Sequence, residues 1–145
     1  MLANRLAPNL HDLVSSGQSA FIKGRAIQDN FLYVKNVIND AHVKKSPLVF
    51  LKLDIAKAFD SLNWGFLLRV LECMGFSQRW RDLISIILAS SSSRILLNGC
   101  PGKPFVHRRG LRQGDPLSPM MFILAMEPLQ RLLERATEQE FISPL

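Results

Sequence analysis

Leu2, Leu6, Leu10, Leu13 and Val14 recur at spacings of three and four, the period of a helix that buries one stripe. Pro8 falls inside that pattern and should interrupt it. After a break at Gly17, Ile27, Phe31, Val34, Val37, Ile38 and Ala41 share one face, predicting a helix over 27–41 with Asp29 in its first turn, where a carboxylate favours the helix dipole. A basic break from Lys44 to Pro47 precedes Leu48–Leu53, a short apolar run rich in strand formers that reads as a buried strand ending at Asp54. Trp64, Leu67, Leu68 and Leu71 return to helical spacing behind the capping residues Ser61 and Asn63, and Gly75 stops them. Trp80, Leu83, Ile84, Ile87 and Leu88 predict the next helix, and the Ser90–Ser93 cluster reads as a helix terminus or turn. Arg94–Asn98 and Pro104–His107 flank Asn98-Gly99-Cys100-Pro101-Gly102, predicting a hairpin with a loop of five residues or more. From Leu117, the positions Met121, Leu124, Ala125, Leu129, Leu132 and Leu133 predict a last helix, which Pro128 should bend or divide.

The order is helix, helix, strand, helix, helix, hairpin, helix. Strands are few and do not alternate with single helices, so the expected fold class is α+β, with helices packed on a small, mostly antiparallel sheet. The 145 residues suit one domain, and 48% apolar with 21% charged residues excludes intrinsic disorder. No apolar stretch approaches the roughly 20 residues of a bilayer crossing. The first residues carry Asn4, Arg5, Pro8 and His11, so no secretory signal is legible, and an intracellular setting, nuclear or cytoplasmic, is expected with no membrane partner. Cys73 and Cys100 form neither a CxxC pair nor a Cys/His cluster, which argues against zinc and gives no disulfide framework.

Charge changes the picture in one place. The chain carries 18 Lys plus Arg against 12 Asp plus Glu, a formal net charge of +6. Lys103, Arg108, Arg109 and Arg112 crowd into ten residues without an acid, a density that attracts phosphates and that a solvated basic loop would also show. Asp54, at the end of the predicted strand, suits a hard cation, because Mg²⁺ takes oxygen ligands and needs only one or two protein carboxylates beside phosphates. Spacing alone leaves the other reading open, in which Asp54 or Asp60 caps the following turn. In Gly110-Leu-Arg-Gln-Gly-Asp-Pro-Leu-Ser-Pro119 the glycines allow close backbone approach and Arg112 and Gln113 offer donors. No Gly-Lys-Ser/Thr follows, so this is not a Walker loop. Asp115 as N-cap with Pro116 at the first helical position explains part of the segment, and leaves Arg112, Gln113 and Gly114 unexplained.

Together the two segments are recognisable. LDIAKAFDSLNW resembles the reverse transcriptase block at the first catalytic Asp, and GLRQGDPLSPMMFILAMEPL resembles the following block, which lines the nucleotide pocket. QSAFIKGRAIQDN, Gln18 to Asn30, resembles the stretch before them in non-LTR, LINE-type retrotransposon enzymes. The three blocks stand in the family's order, and the resemblance covers about Leu2 to Leu133.

The resemblance implies a partial right-hand polymerase fold, fingers-like over 1–47 and 76–112 and palm-like over 48–75 and 113–145, and two-metal nucleotidyl transfer with Mg²⁺. On the family's pattern Asp54 and the carbonyl of Ile55 are metal ligands, and Phe59 is the aromatic gate that favours deoxynucleotides. Gln113 and Gly114 face the nucleotide. Lys23, Arg25, Arg108, Arg109 and Arg112 are candidate contacts to nucleic acid. The implied partners are an RNA template, a DNA primer and deoxynucleoside triphosphates. The family's third block, an aromatic-Ala-Asp-Asp hairpin, has no counterpart in these residues, and the upstream Arg-Pro-Ile block is missing too. The expectation is therefore a fragment of an RNA-directed DNA polymerase that does not polymerise by itself; the alternatives are a non-catalytic nucleic-acid-binding relic and a decayed coding remnant.

Overall fold

The side chain of Asn63 accepts the Phe66 amide at 2.9 Å and so starts helix α5, Trp64–Cys73. Gly75, at φ +82°, ends it, as the Phe76 amide reaches back to the Leu71 carbonyl at 3.0 Å, the left-handed stop that glycine permits without strain. Ser77 caps α6, Gln78–Ala89, by accepting the Trp80 amide at 3.4 Å. These helices pack on one another. The structure, a computed structural model, describes residues 1–142. Its remaining helices are α1 (Leu2–Leu6), α2 (Leu10–Leu13), α3 (Ile27–Val43), α4 (Ala58–Ser61) and α7 (Leu117–Glu138).

The chain divides into two compact units, one of Met1–Ile55 with the residues from Met126 onward, the other of Ala56–Ala125. The core of Ala56–Ala125 holds Leu67, Leu71, Ile84, Met121 and Leu124, each with at most 1% of its surface exposed. Strands β1 (Ser92–Ser93) and β4 (Phe105–Val106) pair antiparallel, as do β2 (Leu96–Leu97) and β3 (Cys100–Pro101). The hairpin is tighter than expected. Asn98 and Gly99 both take positive φ, 49° and 81°, the two-residue turn that matches strand twist. Arg94 and Ile95 then face Gly102 to Pro104, so the returning strand holds one extra residue, a bulge that shifts the register of the outer pair.

In the other unit Ala3, Leu6, Leu10, Val14 and Ile22 are buried. The opening helix is interrupted as Pro8 requires, with a 3₁₀ turn at Ala7–Asn9 between α1 and α2. Glu127 is buried, and its carboxylate accepts the Ser15 amide at 3.1 Å on both oxygens and the Ser15 hydroxyl at 3.3 Å. Arg131 Nε completes the set at 2.9 Å.

The expected buried strand does not form. Leu48–Leu53 forms no strand and is not buried, with Val49 93% and Leu51 73% exposed. A strand satisfies its amides and carbonyls only in a ladder, and among the described residues none pairs with this segment. Of the two outcomes expected at Pro128, division does not occur, because α7 runs through it. The missing donor affects one carbonyl of the preceding turn, where Ile123, Leu124 and Ala125 are buried and hold the helix by packing.

Replacing Glu127 by Leu keeps the volume roughly filled but orphans the buried Ser15 amide. Chemical denaturation should show a loss of about 2 kcal/mol, while Arg131→Ala, at an exposed partner, should cost less than about 1 kcal/mol.

Candidate functional site

Three short hydrogen bonds clasp the chain around α4 to the loop after β4. The Gly110 amide donates to the Leu62 carbonyl and the Leu111 amide to the Phe59 carbonyl, both at 2.7 Å. Trp64 Nε1 donates to the Gly110 carbonyl at 2.7 Å. Gly110 has φ +82°, and a Cβ there would lie 2.7 Å from the Asp60 carbonyl oxygen. The close approach expected at this glycine is thus made to the protein's own backbone. Its effect is to hold Phe59 and Asp60 beside Gln113. The Phe59 ring stacks on Phe122 of α7 with centroids 5.0 Å apart and planes 20° apart, which fixes its position. Gln113 Nε2 donates to Asp60 Oδ1 at 3.4 Å.

Asp60 and Gln113 border a cavity of about 470 Å³, in the range of ligand sites, which is also lined by Ser91–Ser93, His107 and the segment from Arg109 to Arg112. Gly114 has φ +87° and open space about it. Behind it Asp115 accepts the Leu117 amide at 2.9 Å and starts α7. The N-cap role read from Asp115 and Pro116 therefore holds, and Gln113 and Gly114 stay exposed in front of it.

Asp54 and Ile55 belong to the other unit, on the irregular segment and not at the end of a buried strand. Asp54 is exposed, and among the described residues no donor or cation binds its carboxylate. A free, solvent-facing carboxylate beside a backbone carbonyl fits one hard cation that also takes phosphate oxygens. Among the described residues no three His, Cys, Asp or Glu side chains form a ready metal cluster. Arg25 turns inward instead. Its Nη1 donates to the carbonyls of Ser15 and Gln18, both at 2.6 Å, and its Nη2 to that of His11 at 3.3 Å. This guanidinium ties a loop together and is not free for phosphate. Lys23, Arg108, Arg109 and Arg112 are exposed, and of the three arginines only Arg109 and Arg112 line the cavity.

Sequence reading missed Ser93 and His107, whose Oγ and Nε2 lie 2.7 Å apart. Their 14-residue separation gives no signal. The bulge decides it, since one residue less in the return strand would put His107 on the opposite face.

Residues 1–143 match the family described as reverse transcriptase (RNA-dependent DNA polymerase). The chain belongs to that family. Among its relatives, the transposon TX1 149 kDa protein of Xenopus laevis is 31% identical over 131 residues, 90% of this chain and 10% of that protein. The Pol polyprotein of the type-1 retrotransposable element R2 of Nasonia vitripennis is 32% identical over 137 residues, 94% of this chain and 13% of its own. That of the type-2 element R2DM of Drosophila melanogaster is 31% identical over 116 residues, 80% of this chain and 11% of its own. The chain thus spans 10–13% of the length of these relatives. It is α+β in class, and these relatives are non-LTR retrotransposon proteins. The family works with divalent metal ions, and among the described residues no helix is long and apolar enough to cross a membrane.

The two glycines of the loop should respond differently to alanine. Gly110→Ala meets backbone and should lower the unfolding free energy by more than about 2 kcal/mol. Gly114→Ala meets only its positive φ and should cost about 1–2 kcal/mol. Urea unfolding of both variants gives the comparison.

Proposed function

We propose that this chain supplies the nucleotide-facing part of an RNA-directed DNA polymerase, which adds deoxynucleotides to a primer on an RNA template. The observation that carries the proposal is the Gly110 clasp, which ties the Phe59 backbone, its ring stacked on Phe122, to the loop whose Gln113 lines a nucleotide-sized cavity with Asp60. Phe59, backed by Phe122, is a steric wall against a ribose 2′-hydroxyl and so favours deoxynucleotides. Gln113 packs on the incoming nucleotide, and Gly114 keeps the chain open enough for a base pair to come close. Asp54 offers its free carboxylate, and Ile55 its carbonyl, to Mg²⁺. Bound Mg²⁺ supplies activation of the primer 3′-hydroxyl and neutralises charge on the phosphoryl group. Lys23, Arg108, Arg109 and Arg112 meet phosphates of template and primer, while Arg25 has a structural role. Residues 1–47 and 76–112 act as fingers and 48–75 with 113–145 as palm.

Two measurements test this. Binding of deoxythymidine triphosphate to the chain, followed by ligand-observed NMR with Mg²⁺ and an RNA–DNA hybrid present, should weaken about tenfold in Gln113→Ala, the loss of one hydrogen bond to a charged ligand. Phe59→Val should narrow the preference over the ribonucleotide. No nucleotide binding would refute the proposal, and hybrid binding alone would point to a non-catalytic nucleic-acid-binding protein. Fluorescence anisotropy of the labelled hybrid across salt should lose about one unit of salt slope for each of Arg108→Ala and Arg109→Ala.

Primer extension gives a further check. Because Asp54 is the only carboxylate assigned to metal, the 145 residues alone should incorporate no nucleotide. Incorporation that disappears in Asp54→Ala would show that these residues hold a sufficient set.

A further inference from the structure

One wall of the cavity is a donor cluster that nucleotide stacking does not use. Ser93 Oγ and His107 Nε2 are 2.7 Å apart, and Arg109 and Arg112 border the same space. The lining carries these two arginines and the single acid Asp60, whose Oδ1 already accepts Gln113 Nε2. The C-terminus of α6 would present partial negative charge to an anion, but Ser90 Oγ donates to the Ile87 carbonyl and Ser91 Oγ to that of Leu88. Arg112 Nη2 adds a cation at that end by donating to Ser90 Oγ at 3.3 Å.

Among the described residues no carboxylate hydrogen-bonds the His107 ring, so the pair lacks the third member that would make Ser93 a nucleophile. What remains to it is donation. A serine hydroxyl that accepts an imidazole Nε2–H on its lone pair has its own proton free to point outward. The backbone holds this pair, since the His107 amide donates to the Ser91 carbonyl at 2.9 Å and extends the β1–β4 ladder.

We propose that this wall is a phosphate-binding subsite, in which Ser93 Oγ–H, supported by His107 Nε2–H, and the Arg109 guanidinium hold the oxygens of one phosphate group. The subsite rests on the polymerase role proposed above and adds its phosphate contact. Phosphate reaches such a site either as the phosphodiester of a strand or as the triphosphate of a nucleotide, and both present charged oxygens to the same donors.

The chain has three histidines, so ¹⁵N labelling of the rings, with His107 assigned by His107→Gln, reads the site directly. The probes are an oligothymidylate, its uncharged methylphosphonate analogue, and deoxythymidine triphosphate without metal. The His107 ring should take the Nε2–H tautomer when a phosphate-bearing probe binds and should ignore the methylphosphonate. Response to the oligonucleotide assigns the subsite to a strand, and response to the triphosphate alone assigns it to the nucleotide. Ser93→Ala and Arg109→Gln should each weaken the responding probe about tenfold. Arg109 is exposed and bonds to nothing among the described residues, so its replacement leaves folding intact. An unmoved His107 with every probe, or unchanged affinity in both variants, overturns the subsite. Hybrid binding measured by anisotropy separates the two proposals. If the wild-type chain binds the hybrid and the nucleotide while neither variant weakens any phosphate-bearing probe, the subsite falls and the polymerase role stands; if the wild-type chain binds neither hybrid nor nucleotide, both fall.

Discussion

The contact of Gly110 with the backbone of Asp60 is the constraint on which the candidate site depends. Two amide bonds and the Trp64 indole bond draw the strands of chain together so closely that a methyl group at position 110 would sit 2.7 Å from a carbonyl oxygen. Only glycine allows both the positive φ and the proximity. From that contact follow the placing of Phe59 against Phe122, the Gln113–Asp60 bond and the cavity that Asp60 and Gln113 line. Asp60 meets Gly110 through its backbone carbonyl and Gln113 through its carboxylate.

Basic residues serve two ends in this chain. Arg25 has its fork occupied by the carbonyls of His11 in α2 and of Ser15 and Gln18 in the loop after it, which supplies donors that an irregular backbone lacks. Arg109 and Arg112 border the cavity, where their charge exceeds that of the single carboxylate present. A net charge of +6 therefore overstates the surface free to meet phosphates. The buried acid Glu127 is the counterpart of Arg25. It collects the Ser15 amide and hydroxyl and the Arg131 guanidinium, so that a costly buried charge is met from several sides.

The exposed apolar segment over 48–53 and the free carboxylate of Asp54 belong together physically. Val49 and Leu51 are largely exposed where strand-forming residues ordinarily seek a ladder. Because the segment has no pairing partner among the described residues, Asp54 follows it into solvent, with no donor or cation on its carboxylate. That is the electrostatic condition a cation ligand needs, reached without the buried strand.

Local signals decided most of the elements. Asn63, Ser77 and Gly75 set helix limits through hydrogen bonds that reach only a few residues, and Pro8 and Asp115 act within one turn, so composition and spacing were enough to read them. The ordered blocks around Asp54, Phe59 and Gln113 likewise carried the family, which depends on residue identity and not on coordinates. Three things were beyond such reading, each for a stated reason. Whether Leu48–Leu53 becomes a strand depends on a partner, which propensity cannot supply. Whether Pro128 breaks α7 depends on the packing of Ile123, Leu124 and Ala125 around the lost bond. Ser93 meets His107 through a one-residue bulge between the strand pairs. Side-chain direction reverses with every residue of a strand, so that pairing was decided by tertiary register alone.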